Sequence, residues 1–198
     1  FDHARVRGDF EDVQARVNRI QSFDLVAAAA DRLRKVGVAA VNFDLMYGLP
    51  GQTPENGAAS TEAAVTLRPD RVAVFGYAHV PWMKKHQVMI GESDLADGDG
   101  RWAQAEAADS VLRGAGYLRI GLDHYALPGD PLARAAAAGK LRRNFQGYTD
   151  DPAPVLVPVG PSSIGRLAAG FIQNAAATDV WSRAVEAGRL PVARSLSV

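Results

Sequence analysis

"NFDLMYGLPGQT", residues 42–53, decides how the chain is read. An apolar, strand-forming run passes into a turn set by Gly48, Pro50 and Gly51. That combination predicts a buried β-strand with its C-terminal end marked. Yet the run carries a carboxylate, Asp44, and an ionised carboxylate inside a strand is costly unless it is hydrogen-bonded or faces a polar ligand. After the turn, Thr53 and Pro54 fit the N-cap and first position of a helix reaching about Leu67. "DRVAVFGYAHV", 70–80, reads as a second strand of the same kind. Strand, helix, strand implies a parallel βαβ crossover and places the chain in the α/β class.

Working outward, residues 9–38 read as two helical stretches, with Gly37 as the stop. "GRWAQAEAADSVLRGAGY", 100–117, is an amphipathic helix ending near Gly114 and Gly116, and it leads into "YLRIGLDHYA" as a third strand. "DPLARAAAAGK" is a short helix. Residues 150–165 are rich in Pro and Gly and predict a loop or an interrupted strand. "DVWSRAVEAGR" is a last helix, and "LPVARSLSV" trails away. The first residue is Phe rather than Met, which suggests a piece of something longer.

Composition narrows the function. With 198 residues the chain supports one sizeable core. Lys+Arg 22 against Asp+Glu 22 leaves no net charge, so neither nucleic acid nor an anionic membrane is supported as a partner. No run approaches a membrane span or an export signal, and a cytoplasmic protein is expected. Cysteine is absent, which rules out disulfides, thiolate catalysis and cysteine-ligated iron–sulfur clusters built by these residues alone.

Three strands carry polar side chains at or near their C-terminal ends: Asp44, then Tyr77 and His79, then Asp123 and His124. In parallel α/β sheets and barrels the ligand site forms at that edge. Capping of loop amides by Asp44 and pairing of Asp123 with an arginine explain those two residues equally well. His79, His86 and His124 match no standard metal-ligand spacing, so no metal is expected. "MYGLPGQT" lacks the GxxxxGK[ST] and GxGxxG phosphate patterns. Lys84, Lys85 and His86 in "WMKKHQ" suit either an anionic substrate or a solvated charged face. "RRNFQGYT" suits either carboxylate binding through Arg142 and Arg143 or a simple turn.

Taken together, "NFDLMYGLPGQT", "DRVAVFGYAHVPWMK", "GLDHYALPGD" and "RRNFQGYT", in this order and at these separations, resemble oxygen-independent coproporphyrinogen III oxidase. "VNRIQSF" upstream and "QNAAATDVWSRAVEAGRLPVARSLSV" downstream extend the resemblance over nearly the whole chain. "FGYAHVPW" and "NFQGYT" favour the oxidase over its haem-chaperone paralogues. The resemblance implies a radical S-adenosylmethionine enzyme of haem synthesis with an opened β/α barrel. Such an enzyme holds a [4Fe–4S] cluster and two S-adenosylmethionine molecules. A 5′-deoxyadenosyl radical takes hydrogen from propionates of coproporphyrinogen III, and loss of CO2 leaves the vinyl groups of protoporphyrinogen IX. On this resemblance residues 1–126 form the C-terminal half of the barrel, with parallel strands and outer helices. Residues 127–198 form a C-terminal extension of rim loops and helix. The partners implied are coproporphyrinogen III and an electron donor to the cluster, for a protein expected to be monomeric.

Residue by residue, the resemblance implies S-adenosylmethionine contacts at Arg19 in "VNRIQ", Asp44 before the GLP turn, Ala78 in "GYAH" and Ile164 in "SSIG". Gln146 and the neighbouring arginines fall at the active-site rim. The family's cluster cysteines, its glycine-rich methionine-binding stretch and its first barrel strands have no counterpart in this chain. The stretch 5–10 is shortened, and a glutamine expected before "DF" is missing. Arg142 stands where the family has His, and Leu127 where a basic residue is common. Pro158 and Pro161 replace small residues before Ile164; each removes an N–H and fixes φ, so that loop is expected to depart from the family geometry. Two functions follow: part of the oxidase, inactive by itself, or a non-catalytic porphyrin- or haem-binding module of haem-chaperone type. A half barrel also predicts unpaired strand edges and a tendency to aggregate.

Overall fold

The computed structural model describes residues 12–198; the shortened stretch 5–10 lies outside the described residues. The chain divides into two compact units, one ending at Ala137 and one running Ala138–Val198.

The first unit is built on the βαβ crossover. Helix α1 (Phe23–Lys35) is capped by Ser22, whose Oγ accepts from the Leu25 N–H, and Gly37 ends it at φ +86°. Strand β1 (Asn42–Tyr47) is followed by α2 (Pro54–Thr66) and β2 (Arg71–Gly76). The start of α2 is a capping box: Thr53 Oγ1 accepts from Asn56 N, and Asn56 Oδ1 accepts from Thr53 N. β1 and β2 run parallel, with Asn42 opposite Arg71, Asp44 opposite Ala73 and Tyr47 opposite Gly76.

Helix α3 (Gly98–Gly114) then packs across the sheet. Val72, Val74 and Tyr125 from the sheet meet Ala108 and Leu112 of α3, with Leu45, Tyr47, Val65 and Leu127 around them. Leu127 therefore serves the apolar core where the family resemblance expected a basic side chain.

Two expectations are corrected here. β1 is not buried on both faces: Asn42, Asp44 and Met46 are exposed and alternate with half-buried Phe43, Leu45 and Tyr47. Successive strand side chains point to opposite faces, and the helix-packed core takes only the Leu45 and Tyr47 side. Residues 117–126 are not one further strand but a hairpin, β3 (Leu118–Ile120) and β4 (His124–Ala126). Gly121, at φ +65°, reverses the chain between them. β4 lies antiparallel to β2, giving the order β1-β2-β4-β3. The fold is thus α/β with a parallel pair and outer helices, extended by an antiparallel hairpin. Helix α4 (Pro131–Ala137) begins at Asp130, whose buried carboxylate accepts from Leu132 N and pairs with Arg71 Nε at 2.7 Å.

The second unit opens with a two-stranded hairpin, β5 (Arg142–Arg143) and β6 (Tyr148–Thr149). Between them Asn144 Oδ1 accepts from the Gln146 and Gly147 N–H groups. Residues 150–163 form a loop pinned by a bridge in which Leu156 and Arg166 exchange both backbone bonds at 2.9 Å. β7 (Ile164–Leu167), β8 (Gly170–Asn174) and β9 (Val192–Ser197) form an antiparallel meander, with α5 (Thr178–Glu186) between β8 and β9. The tail expected to trail away is therefore a strand. It pairs along β8, Phe171 opposite Leu196 and Gln173 opposite Arg194.

Candidate functional site

The site is best built from the C-terminal edge of the β1–β2 pair. Two polar side chains of α3 secure that edge. Gln104 is 1% exposed; its Oε1 accepts from Gly48 N at 2.7 Å and its Nε2 donates to Gln52 O at 2.7 Å. Arg101, one helical turn earlier, donates from Nη2 to the Tyr77 carbonyl at 2.6 Å. One helix thus fixes both the turn after β1 and the exit of β2. The approach is close: a Cβ on Gly76 would lie 3.0 Å from Tyr47 Oη and 3.2 Å from Arg101 Nη2, so the ends of those side chains would have to give by a few tenths of an ångström. Sequence reasoning missed both α3 residues. The available signal was Gln104 in line with Ala108 and Leu112, a buried stripe at spacing four.

Asp44 is exposed and lies on the sheet face opposite Leu45 and Tyr47, away from the helix-packed core. Its position is mid-strand rather than at the tip. Asn42 Nδ2 donates to its Oδ1 at 2.7 Å. Arg19 is exposed and shares with Asp44 a cleft of about 570 Å³ running between α1, β1 and α2. Ala78 is exposed two residues beyond β2, and its carbonyl accepts from Gln87 Nε2 at 3.1 Å.

Ile164 belongs to the second unit. Half-buried at the start of β7, it accepts at its carbonyl from Gln146 Nε2 at 2.9 Å. The proline-rich loop before it is held by Asn174, 4% exposed, whose Nδ2 donates to Pro158 O at 3.2 Å and Gly160 O at 3.0 Å. Pro158 packs directly over Gly165, where a Cβ would sit 2.6 Å from Leu156 O. The two prolines are thus incorporated in a tied loop. Arg142 donates to Pro152 O at 3.2 Å, while Arg143 stacks 5.5 Å above the Tyr148 ring.

The histidines have separate surroundings. His79 Nδ1 lies 3.2 Å from Tyr77 Oη and His124 Nδ1 lies 2.7 Å from Asp123 Oδ1, while His86 is on an exposed 3-10 turn. Among the described residues no three His, Asp or Glu side chains gather where a metal could be held.

Asp44 offers an exposed carboxylate and Arg19 an exposed guanidinium, the two kinds of charged partner that a zwitterionic ligand such as S-adenosylmethionine calls for. Without cysteine, the residues of this chain do not fit a thiolate-held [4Fe–4S] cluster.

No protein-family model matches the chain. It is 49% identical over 92% of its length to an oxygen-independent coproporphyrinogen III oxidase from Cereibacter sphaeroides, of which it spans 41%. The same comparison with the Paracoccus denitrificans oxidase gives 49% over 94% of this chain and 42% of that one. Among solved structures, a coproporphyrinogen III oxidase from Escherichia coli, described as a radical SAM enzyme, matches with TM-score 0.89 and 34% identity. That match covers 95% of this chain and 43% of the other. Over nearly its whole length, the chain is homologous in sequence and fold to part of the oxygen-independent coproporphyrinogen III oxidases, and spans about two fifths of their length.

Proposed function

We propose that this chain supplies the S-adenosylmethionine-facing wall of an oxygen-independent coproporphyrinogen III oxidase, which oxidatively decarboxylates coproporphyrinogen III to protoporphyrinogen IX. One observation carries the reading: an acidic side chain, Asp44, stands on the open face of a parallel strand pair, with its carboxylate exposed. A carboxylate in that place is cheap because it is wet, and it is useful when a cation lies against it. Asp44 and Arg19 grip the two charged ends of the cofactor, and Ala78 leaves it room. When bound, two S-adenosylmethionine molecules and a cluster supply the hydrogen-abstracting chemistry. A cluster has to be held by residues other than these. An electron donor, a monomeric state and a cytoplasmic setting belong to the same reading; no described helix is long and apolar enough to cross a membrane.

Calorimetric titration of S-adenosylmethionine into the 198-residue chain and its Asp44→Ala variant tests this. Saturable binding weakened about tenfold in the variant is expected from loss of one charge-assisted contact. Equal affinities, or no binding to the unaltered chain, overturn the assignment.

A further inference from the structure

Immediately beyond Ala78 the chain makes a tightly tied loop, Val80–Gly91. Gln87, 8% exposed, is its hub: its Oε1 accepts from Val80 N at 2.6 Å and its Nε2 donates back to Ala78 O. Met83 N and Lys84 N both donate to Val80 O at 2.9 Å, and Gln87 N donates to Lys84 O at 2.8 Å. Around this ordered centre the apolar side chains turn outward. Trp82 is 77% exposed, Met83 71%, Val88 68% and Met89 94%. Lys84, Lys85 and His86 are exposed in the same loop, and no Asp or Glu occurs from Val80 to Gly91.

Exposed apolar groups concentrated this densely mark a binding surface. A loop with its own buried hub presents them already ordered, so little entropy is lost when something settles there. Methionine and tryptophan suit a broad apolar face, while Lys84 and Lys85 add positive charge along it, ahead of the acidic turn Glu92–Asp94. The occupant that matches both features is broad, apolar and polyanionic. The loop leaves the C-terminal end of β2, the edge at which sheets of this class collect ligands.

We propose that the loop Val80–Gly91 is the docking platform for the tetrapyrrole ring: Trp82, Met83 and Met89 lie under the macrocycle, and Lys84 and Lys85 pair with its propionates. This rests on the reading that coproporphyrinogen III is the substrate, and assigns it a face of this chain.

The test is a titration of coproporphyrin III, the stable oxidised ring, into the full chain, followed by its Soret absorbance. The Lys84→Glu/Lys85→Glu and Met83→Ser/Met89→Ser variants are titrated alongside. All four side chains are exposed, and circular dichroism checks that each variant keeps its fold. Saturable binding is expected, weakened about tenfold in each double variant. The loss caused by the glutamates should shrink as salt rises, and dicarboxylic protoporphyrin IX should bind less tightly than the tetracarboxylic ring. Variants that bind like the unaltered chain overturn the proposal. So does capture of the chain by phosphatidylglycerol vesicles without saturable porphyrin binding. S-adenosylmethionine titrated into the same samples reads the functional assignment separately: if it binds while the ring ignores the loop variants, only the platform falls.

Discussion

Arg101 Nη2 and the Tyr77 carbonyl oxygen, 2.6 Å apart, join the first turn of α3 to the exit of β2. The bond is charge-assisted and part-buried, the kind that contributes about 1–3 kcal/mol. Arg101→Met keeps the side-chain stem and removes the bond, so urea unfolding should show a loss in that range. Gly76→Ala pushes a methyl against Tyr47 Oη and the same guanidinium, and should destabilise as well. Because both changes disturb one contact, the double variant should lose less than the sum of the two. Strict additivity would show that Arg101 and Gly76 act independently and would sink this account.

Gln104 is the second clasp, and its cost is of a different kind. Its amide is buried, and it meets a buried Gly48 N–H on one side and the Gln52 carbonyl on the other. Gln104→Ala removes both partners at once and leaves a cavity, so about 2–4 kcal/mol of stability should go. Gln104→Glu keeps the volume and the acceptor toward Gly48, but loses the donor toward Gln52. At neutral pH it buries an ionised carboxylate with one oxygen against the Gln52 carbonyl, so it should be less stable than the alanine variant and recover as the pH falls and the carboxyl protonates. A glutamate variant more stable than the alanine variant at neutral pH would show that volume and the Gly48 bond, rather than buried charge, dominate at this site.

What could be read in advance divides along the reach of the signals. The βαβ core was legible because its marks are local: Thr53 and Pro54 open α2, Gly37 closes α1, and the strands end in turn residues. The β3–β4 hairpin was not, because "YLRIGLDHYA" is continuous in strand propensity and only Gly121 at φ +65° breaks it. β9 was harder still. All six of its residues are exposed, so no burial pattern marks it, and its place depends on register with β8 across the length of α5. At the site, Asp44 stood out as a charge in an apolar run. Arg101 and Gln104 did not, because polar residues in an alanine-rich helix read as solvent-facing until a partner loop is seen above them.

Tyr125 is expected to make the chain's stability fall at alkaline pH. Its ring is 4% exposed and its Oη donates to Asp109 Oδ1 at 2.8 Å. Burial first, and then that carboxylate, hold the phenol above the ordinary tyrosine range. The neutral form is therefore favoured more in the folded chain than in the unfolded one. The resulting stability is complete below the unfolded value of about 10 and is lost as pH climbs from there toward the folded value, by about 1.4 kcal/mol per pH unit for one group. Urea midpoints should stay level from about pH 7 to 9 and fall beyond about 10. Tyr125→Phe deprives Asp109 of a donor and should cost about 1 kcal/mol at neutral pH, while flattening the alkaline fall. Arg113 and Arg119, each with a nitrogen 3.7 Å from Asp109, remain to balance its charge in the variant. Should the phenylalanine variant lose stability above pH 10 as steeply as the unaltered chain, Tyr125 is not the group responsible. The dependence would then belong to Tyr77 and Tyr117, whose phenols burial also raises.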